Sequence, residues 1–129
     1  MSARDSGRVS EYLSHIVQAI GRINRYIEAK DEAAFLQDEM LQDAVIRNIE
    51  IIGEAARNVE RAAPEYAALH AEVPWPVVYA MRNRVSHGYF EVDVGIIWRT
   101  IQGDLPLLAY QVRAMLDELG DQPEAGPCE

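Results

Sequence analysis

The spacing of apolar residues is the feature that most constrains the fold. They recur at steps of three and four residues in four long segments, which is the spacing of one face of an α-helix. The first two segments run from Ser10 to about Lys30 and from about Asp38 to Ala62. The third runs from Trp75 to His87, and the fourth follows Asp93. With no confident strand, the pattern predicts an all-α, up-down bundle of four to five helices.

Capping and helix-breaking residues predict where these helices end. Ser10 and Asp93 are expected to be N-caps, because their side-chain oxygens can accept from free N–H groups of the first turn. Pro64 is expected to end the second helix, and Gly88 to provide a left-handed cap after the third. Pro106 falls inside the fourth segment, so the last helix is expected to be kinked there.

Three other positions predict how the helices pack. Gly53 lies in the middle of the second helix, where glycine costs about 1 kcal/mol relative to alanine, so a neighbouring helix is expected to approach closely there. Phe35, in the connection between the first two helices, is expected to plug the end of the bundle. The connection over residues 64–76 is expected to contain at most one regular turn.

Length and composition indicate a single folded domain. The chain has 129 residues, of which 49% are hydrophobic and 26% charged, as in folded soluble proteins. The domain is expected to span residues 1–119, and residues 120–129 are expected to be a disordered tail. The single cysteine, Cys128, excludes an intramolecular disulfide and a zinc site built on thiolates. With no signal peptide and no membrane-length apolar run, a cytoplasmic protein is expected.

The net charge limits how the chain could bind nucleic acid. A formal net charge of −9 argues against coating of nucleic acid through bulk electrostatics, because that binding relies on basic residues that neutralise phosphates. Any contact with RNA must therefore be local. Lys30 is the only lysine, so the basic residues are almost all arginine, which binds phosphate better through its planar fork.

The stretch MRNRVSHGYF concentrates hydrogen-bonding groups where the third helix is expected to end. Residues five apart on a helix are separated by about 140 degrees, so Arg82 and His87 can converge only if the helix ends near His87. A guanidinium can hold a phosphate, and an imidazole can move a proton near neutral pH. Together they suit cleavage of RNA, in which the 2′-hydroxyl attacks the adjacent phosphate. Asn83 could orient either partner, and Tyr89 could donate a hydrogen bond.

A purely structural interpretation of this stretch is also open. A histidine near a helix C-terminus interacts favourably with the helix dipole and can bond a free carbonyl. Arg82 and Arg84 could be solvated or paired with the abundant carboxylates.

Other candidate residues carry weaker signals. Glu50 and Glu54 are one helical turn apart and could form a carboxylate or metal-ligand pair, although this spacing is common on exposed helix faces. His15 and His70 have no ligand-like neighbours at metal spacing, so a structural role is expected for both.

The chain resembles the HEPN superfamily, specifically its HepT-like branch of small ribonuclease toxins. The signature of that branch is an arginine, four variable residues and a histidine, with asparagine after the arginine and tyrosine two residues past the histidine. Arg82, Asn83, His87 and Tyr89 match every element. The resemblance runs from about Tyr12 to Leu119. Further similar segments are IGEAA at 52–56, VPW at 73–75, IIW at 96–98 and DLPLL at 104–108.

The resemblance implies a homodimer in which two motifs face each other across a cleft. It implies a metal-independent endoribonuclease that cleaves tRNA or mRNA, leaves a 2′,3′-cyclic phosphate and needs no cofactor. His87 would be the general acid or base, Arg82 would hold the scissile phosphate and Asn83 would assist. Glu54 would be a buried partner for a motif arginine, or otherwise a solvated or structural glutamate, and Arg84 would be a supporting residue.

The same resemblance implies a regulatory partner. This would be a minimal nucleotidyltransferase antitoxin that transfers AMP to Tyr89 and so fills the cleft with negative phosphate. Two other functions remain open. The chain could be a catalytically silent HEPN dimer that binds nucleotide, RNA or a protein partner without cleavage. It could also be a helical interaction module in which Arg82 and His87 only cap a helix.

Overall fold

The computed structural model describes residues 1–86 and 93–120, except for the side chains of residues 84–86. Within these residues every regular element is a helix, which confirms the all-α prediction. Four helices are long and two are short, so the part described contains more than the four to five expected. The helices are α1 (Ala3–Ile27), α2 (Glu32–Leu36), α3 (Glu39–Ala62), α4 (Pro64–Leu69), α5 (Trp75–Ser86) and α6 (Val94–Gly120).

The first helix begins earlier than predicted. The Oγ of Ser2 accepts a hydrogen bond of 3.1 Å from the backbone N–H of Asp5, which satisfies a free donor of the first turn. Ser10 was therefore wrong as the N-cap and lies inside α1. The extra turns are held by Val9, which is fully buried one turn before Leu13.

The predicted ends of the other long helices agree better with the structure. Asp38 caps α3 by accepting from Leu41 N at 3.0 Å, and Asp93 caps α6 by accepting from Gly95 N at 3.0 Å. Pro64 follows the last residues of α3, as predicted, but starts the six-residue α4, which is longer than the single turn expected. Proline fits there because the first N–H groups of a helix need no intrahelical partner.

Some predictions about helix ends are not tested. Pro106 lies inside α6, and the bend expected there stays a prediction. The described part of α5 runs to Ser86, so the expected end near His87 stays a prediction. His87, the proposed cap Gly88 and the tail after Gly120 lie outside the described residues.

The core lies between the long helices. α3 packs against both α1 and α5, and α6 packs against α1. Burying each large aliphatic side chain stabilises the fold by about 1.5–3 kcal/mol. Phe35 of α2 is fully buried and its ring centroid lies 5.3 Å from that of Trp98, which confirms that it closes one end of the bundle. Among the fully buried side chains are Leu13, Ile16, Ile20, Ile23, Val45, Ile49, Ile52, Val59, Leu105 and Met115.

Gly53 allows α3 and α5 to approach closely, as predicted. A Cβ added at Gly53 would lie 2.8 Å from the Cβ of Arg82 and 3.3 Å from the Cα of Tyr79. Any side chain at this position would therefore push α5 away from α3. The helix that carries Arg82 is seated directly on the backbone of α3.

A polar contact ties α1 to α3. The Nε of Arg22 donates a hydrogen bond of 2.7 Å to Oδ1 of Asn48, whose side-chain Nδ2 donates to the Ala44 carbonyl at 2.9 Å. Asn48 is the buried polar residue of the described core, with 4% of its surface exposed. Its hydrogen bonds offset the cost of removing its amide from water.

The start of α5 is fixed by Trp75. Its side chain is buried, and its indole N–H lies 3.0 Å from the Ala67 carbonyl and 3.2 Å from the His70 carbonyl. Both carbonyls also accept from the backbone, Ala67 from the N–H of His70 and His70 from the N–H of Val73, so the indole N–H adds a second donor at each. The indole therefore joins α4 to α5. In residues 1–86 and 93–120, no helix combines the length and apolar character needed to cross a membrane.

Candidate functional site

Arg82 projects from α5 next to the closest approach of α3. Its Nε lies 3.7 Å from Oε1 of Glu54, so the ion pair expected between the motif arginine and Glu54 is present. The expectation that Glu54 is buried was wrong, because its side chain is 51% exposed and that of Arg82 is 44% exposed. The buried contact is made instead by Gly53, and Glu54 is turned toward solvent. A half-exposed guanidinium can still reach a ligand.

An open cleft of about 420 Å³ lies beside this ion pair. Three helices that are distant in sequence form its walls, with α1, α3 and α5 each contributing side chains. The lining residues are His15, Arg47, Glu50, Ile51, Glu54, Ala55, Asn58 and Arg82.

One face of α3 supplies most of the polar lining. Arg47, Glu50, Glu54 and Asn58 follow each other at steps of three, four and four residues, so their side chains lie along one side of the helix. This face is separate from the apolar stripe of α3 that enters the core. The spacing is visible in the sequence, which by itself indicates only Glu50 and Glu54 as a pair.

His15 is the residue whose position the sequence did not predict. It is exposed on α1 and lines the same cleft as Arg82, whereas a structural role had been expected for it. Its ring meets that of Tyr12 edge-on, with centroids 6.4 Å apart. Only the packing of α1 on α3 brings His15 beside Ala55, so no local sequence signal could have found this contact.

The cleft mixes charges of both signs. Arg47 and Arg82 contribute two positive charges, and Glu50 and Glu54 contribute two negative charges. Glu54 is close enough to Arg82 to orient it, although the exposure of the pair implies only about 0–1 kcal/mol of stabilisation. Arg57 lies on a neighbouring part of α3, with its Cζ 5.5 Å from the ring centroid of Tyr79. The two glutamates offset the positive charge of Arg47 and Arg82, so a phosphate would have to bind locally, at the fork of one guanidinium group.

The other predicted site residues are only partly described. Asn83 is exposed on α5 next to Arg82. The side chain of Arg84, and all of His87 and Tyr89, lie outside the described residues, so the convergence of Arg82 with His87 stays a prediction.

Glu50 and His70 are the two remaining candidates from the sequence. Glu50 lines the cleft with Glu54, but among the described residues no group of three or more His, Cys, Asp or Glu side chains could hold a metal ion. His70 lies in the connection between α4 and α5 and does not line the cleft. Its Nδ1 is 2.9 Å from Oε2 of Glu72, and its Nε2 is 3.2 Å from Oε1 of Glu118. These contacts link the connection to α6 and support the structural role expected for His70.

The sequence of this chain matches one known protein family. The family described as Ribonuclease HepT-like matches residues 16–115, which is most of the chain. The match includes the cleft residues from Arg47 to Arg82 and the Arg-x4-His motif, but not His15. No solved structure matches the chain.

Three curated relatives are similar over most of this chain. A Methanocaldococcus jannaschii protein named "Gamma-glutamylcyclotransferase and putative RNase" is 38% identical over 111 residues, which cover 86% of this chain and 49% of the relative. The chain thus spans about half the length of that relative. "Probable ribonuclease HepT" of Thermococcus cleftensis is 40% identical over 98 residues, covering 76% of this chain and 86% of the relative. A "Putative RNase" of Caldanaerobacter subterraneus is 36% identical over 107 residues, covering 83% and 93%.

Proposed function

Because the chain belongs to the HepT-like ribonuclease family, we propose that it is a metal-independent endoribonuclease that cleaves tRNA or mRNA as the toxin of a toxin–antitoxin pair. The observation that carries the proposal is the position of Arg82. The motif arginine is seated on Gly53, paired with Glu54 and half exposed at a polar cleft that can admit a phosphate. An arginine that only capped a helix or covered the surface would need none of these features.

The proposed reaction is an attack of the ribose 2′-hydroxyl on its own 3′-phosphate. A general base removes the 2′-hydroxyl proton, the new O–P bond forms, and the bond to the 5′-oxygen of the next nucleotide breaks. A general acid protonates that oxygen, leaving a 2′,3′-cyclic phosphate. Arg82 would stabilise the negative charge that develops on the phosphate oxygens, and His87 would move the protons. Asn83 and Arg84 would assist from the same helix.

We propose a homodimer because the reaction needs both a general base and a general acid. One histidine cannot be both base and acid in the same step, whereas two copies of His87 from facing chains can divide these roles. This arrangement needs the two motifs to share one cleft.

Regulation by a nucleotidyltransferase antitoxin is the last element of the proposal. The phenolic oxygen of Tyr89 would attack the α-phosphate of ATP, displace pyrophosphate and carry AMP. The added phosphate would place negative charge two residues from His87 and repel RNA from the cleft. Mass spectrometry of the chain co-expressed with a candidate partner should then find AMP on Tyr89, and its absence from Tyr89→Phe would confirm the position. An unmodified Tyr89 in the co-expressed pair contradicts this element.

Cleavage of total tRNA in excess EDTA, by protein made without a partner, tests the nuclease. Wild type and the control Arg113→Ala, which removes an exposed arginine from α6, should cleave equally. Arg82→Ala and His87→Ala should lose at least about a hundredfold in rate while keeping native helicity and the wild-type oligomeric state. Equal cleavage by all four proteins would reject Arg82 and His87 as the catalytic residues. If wild type does not cleave the tRNA, the result favours the silent HEPN dimer over the nuclease, and the helical interaction module also stays open.

A further inference from the structure

The polar cleft extends well beyond Arg82, and its far residues have no role in the proposed reaction. We propose that this cleft is a subsite for one nucleotide of single-stranded RNA flanking the scissile phosphate. Arg47 would bind the phosphate of that nucleotide, His15 would stack on its base, and Asn58 would hydrogen-bond its base or ribose. The inference rests on the proposed ribonuclease function and adds what the enzyme recognises beside the cut.

The size and construction of the cleft suit a nucleotide. Its volume of about 420 Å³ falls in the range of roughly 300–1,000 Å³ that small-ligand sites occupy. Its polar side chains project from the long helices α1, α3 and α5, and α3 packs against both α1 and α5. Side chains on packed helices hold a site more rigidly than side chains on loops.

Arg47 is the strongest reason to place a phosphate here. Several arginines of the bundle are engaged within the protein: Arg22 bonds Asn48, Arg57 lies over Tyr79, and Arg82 pairs with Glu54. Arg47 is exposed at the cleft, and among the described residues no carboxylate lies within ion-pair distance of it. Its fork is therefore available for a phosphate at the opposite end of the α3 face from Asn58.

His15 and Asn58 supply the groups that recognise a base. An imidazole ring is a stacking surface for an unstacked RNA base, and a primary amide both donates to and accepts from a base edge. The edge-on contact with Tyr12 restricts the orientation of the His15 ring. Asn58 lies in the α3 segment next to Ala55, which shares the cleft wall with His15.

The charge balance favours one nucleotide of a single strand over a duplex. The cleft contains two arginines and two glutamates, so it has no excess of positive charge for two phosphate backbones. A paired base is also unavailable for stacking on His15, because it is already stacked in its helix. The negative charge of the whole chain adds to the repulsion of long duplexes.

The test measures binding separately from cleavage. Fluorescence anisotropy follows a labelled, short, single-stranded RNA that is 2′-O-methylated and so cannot be cut, at several KCl concentrations. Arg47→Ala should weaken binding about tenfold and reduce the slope of log Kd against log salt by about 0.7, the value for one phosphate contact in a single strand. Asn58→Ala should weaken binding without changing that slope. His15→Ala should weaken binding, and His15→Phe should retain it because phenylalanine also stacks.

The controls separate the subsite from the nuclease. Arg113→Ala removes the same charge outside the cleft and should bind like wild type, and urea unfolding of each variant excludes a loss of fold. If wild type cleaves RNA but Arg47→Ala keeps its affinity and salt slope, the subsite is wrong and the proposed function stands. If wild type cleaves nothing but binds the oligonucleotide through Arg47, the cleft is a binding site for single-stranded RNA without a cut beside it, and the nuclease is wrong. Absence of binding by wild type, or equal affinity for duplex RNA, overturns the subsite.

Discussion

Arg82 and Gly53 are in direct register across the α3–α5 contact, and a Cβ at Gly53 would lie 2.8 Å from the Cβ of Arg82. Carbon atoms in contact are normally about 3.5–4.0 Å apart, so the pair leaves no room for a methyl group. The neighbour is the Cβ of Arg82, which cannot move without its backbone. The position of the motif arginine therefore depends on the absence of a side chain at Gly53.

Replacing Gly53 with alanine should displace α5 from α3. Overpacking costs about 1–3 kcal/mol, and the better helix propensity of alanine returns at most about 1 kcal/mol, so a net loss of about 1 kcal/mol is expected. Any ribonuclease activity should fall with the shift of Arg82. Gly103→Ala is the matched control, since nothing lies within 4 Å of a Cβ there, and it should stabilise the protein slightly. Equal free energies of unfolding for the two variants in urea would contradict the close contact between α3 and α5 at Gly53.

Replacing Glu54 with glutamine should show whether this residue positions Arg82 or stabilises the fold. The pair with Arg82 is about half exposed, so its loss should change the free energy of unfolding by no more than about 1 kcal/mol. The guanidinium would lose its charged partner, and we expect kcat for RNA cleavage to fall about tenfold without a rise in KM. Steady-state kinetics beside urea unfolding tests this. A rise in KM at constant kcat would instead mean that Glu54 contacts the substrate.

Asn48→Ala should weaken the link between α1 and α3. It removes the acceptor of the 2.7 Å bond from Arg22 and leaves that guanidinium partly buried without its partner. We expect a loss of about 2 kcal/mol in urea unfolding. Asn24→Ala, at an exposed position of α1, should stay within about 0.5 kcal/mol of wild type. Similar losses in both variants would mean that the hydrogen bond from Arg22 contributes no more to stability than a surface contact.

Tyr66 should make the protein sensitive to alkali. Burial, together with the carboxylates of Glu118 and Glu72, raises the pKa of Tyr66 from its ordinary value of 10.0 to about 12. Since the folded state favours the neutral phenol, stability is complete below pH 10 and is lost as the pH rises toward 12. Because the ring is partly exposed, the loss is on the order of 1–2 kcal/mol.

Tyr66→Phe provides the measurement for this pH dependence. The Tyr66 hydroxyl is buried and has no hydrogen-bond partner among the described residues, so its removal should cost little at neutral pH. Urea unfolding at neutral pH and at two alkaline pH values should show a smaller alkaline loss for the variant. A parallel decline in both proteins would assign the alkaline loss to other groups.

The sequence was sufficient to predict the parts of the fold that depend on local patterns. The apolar period placed α3, α5 and α6, and Asp93 was predicted as the cap of the last helix. Asp38 was predicted only as the approximate start of α3, which it caps. The start of α1 was wrong by about two turns, because Ser2 and Ser10 are both competent caps and only the burial of Val9 decides between them. Residue type alone does not distinguish such competing caps.

Only part of the candidate site could be predicted from the sequence. Arg82 and Glu54 were found from a motif and a close-packing glycine, and their pairing is present in the structure. His15 could not be found, because its contact with the cleft depends on the tertiary register of α1 on α3. Of the two alternatives for Glu54, the buried one was wrong: adjacent positions on a helix face directions about 100 degrees apart, so a residue next to the buried Gly53 need not be buried itself.

The buried indole of Trp75 makes the start of α5 visible by spectroscopy. Its N–H is bonded to the carbonyls of Ala67 and His70, and its emission should shift to longer wavelength when that corner opens to water. Trp98, the other tryptophan, is only partly buried against Phe35. In a Trp98→Phe background, Trp75 would be the one tryptophan left, and its selectively excited emission would report, in real time, the docking of the helix that carries Arg82.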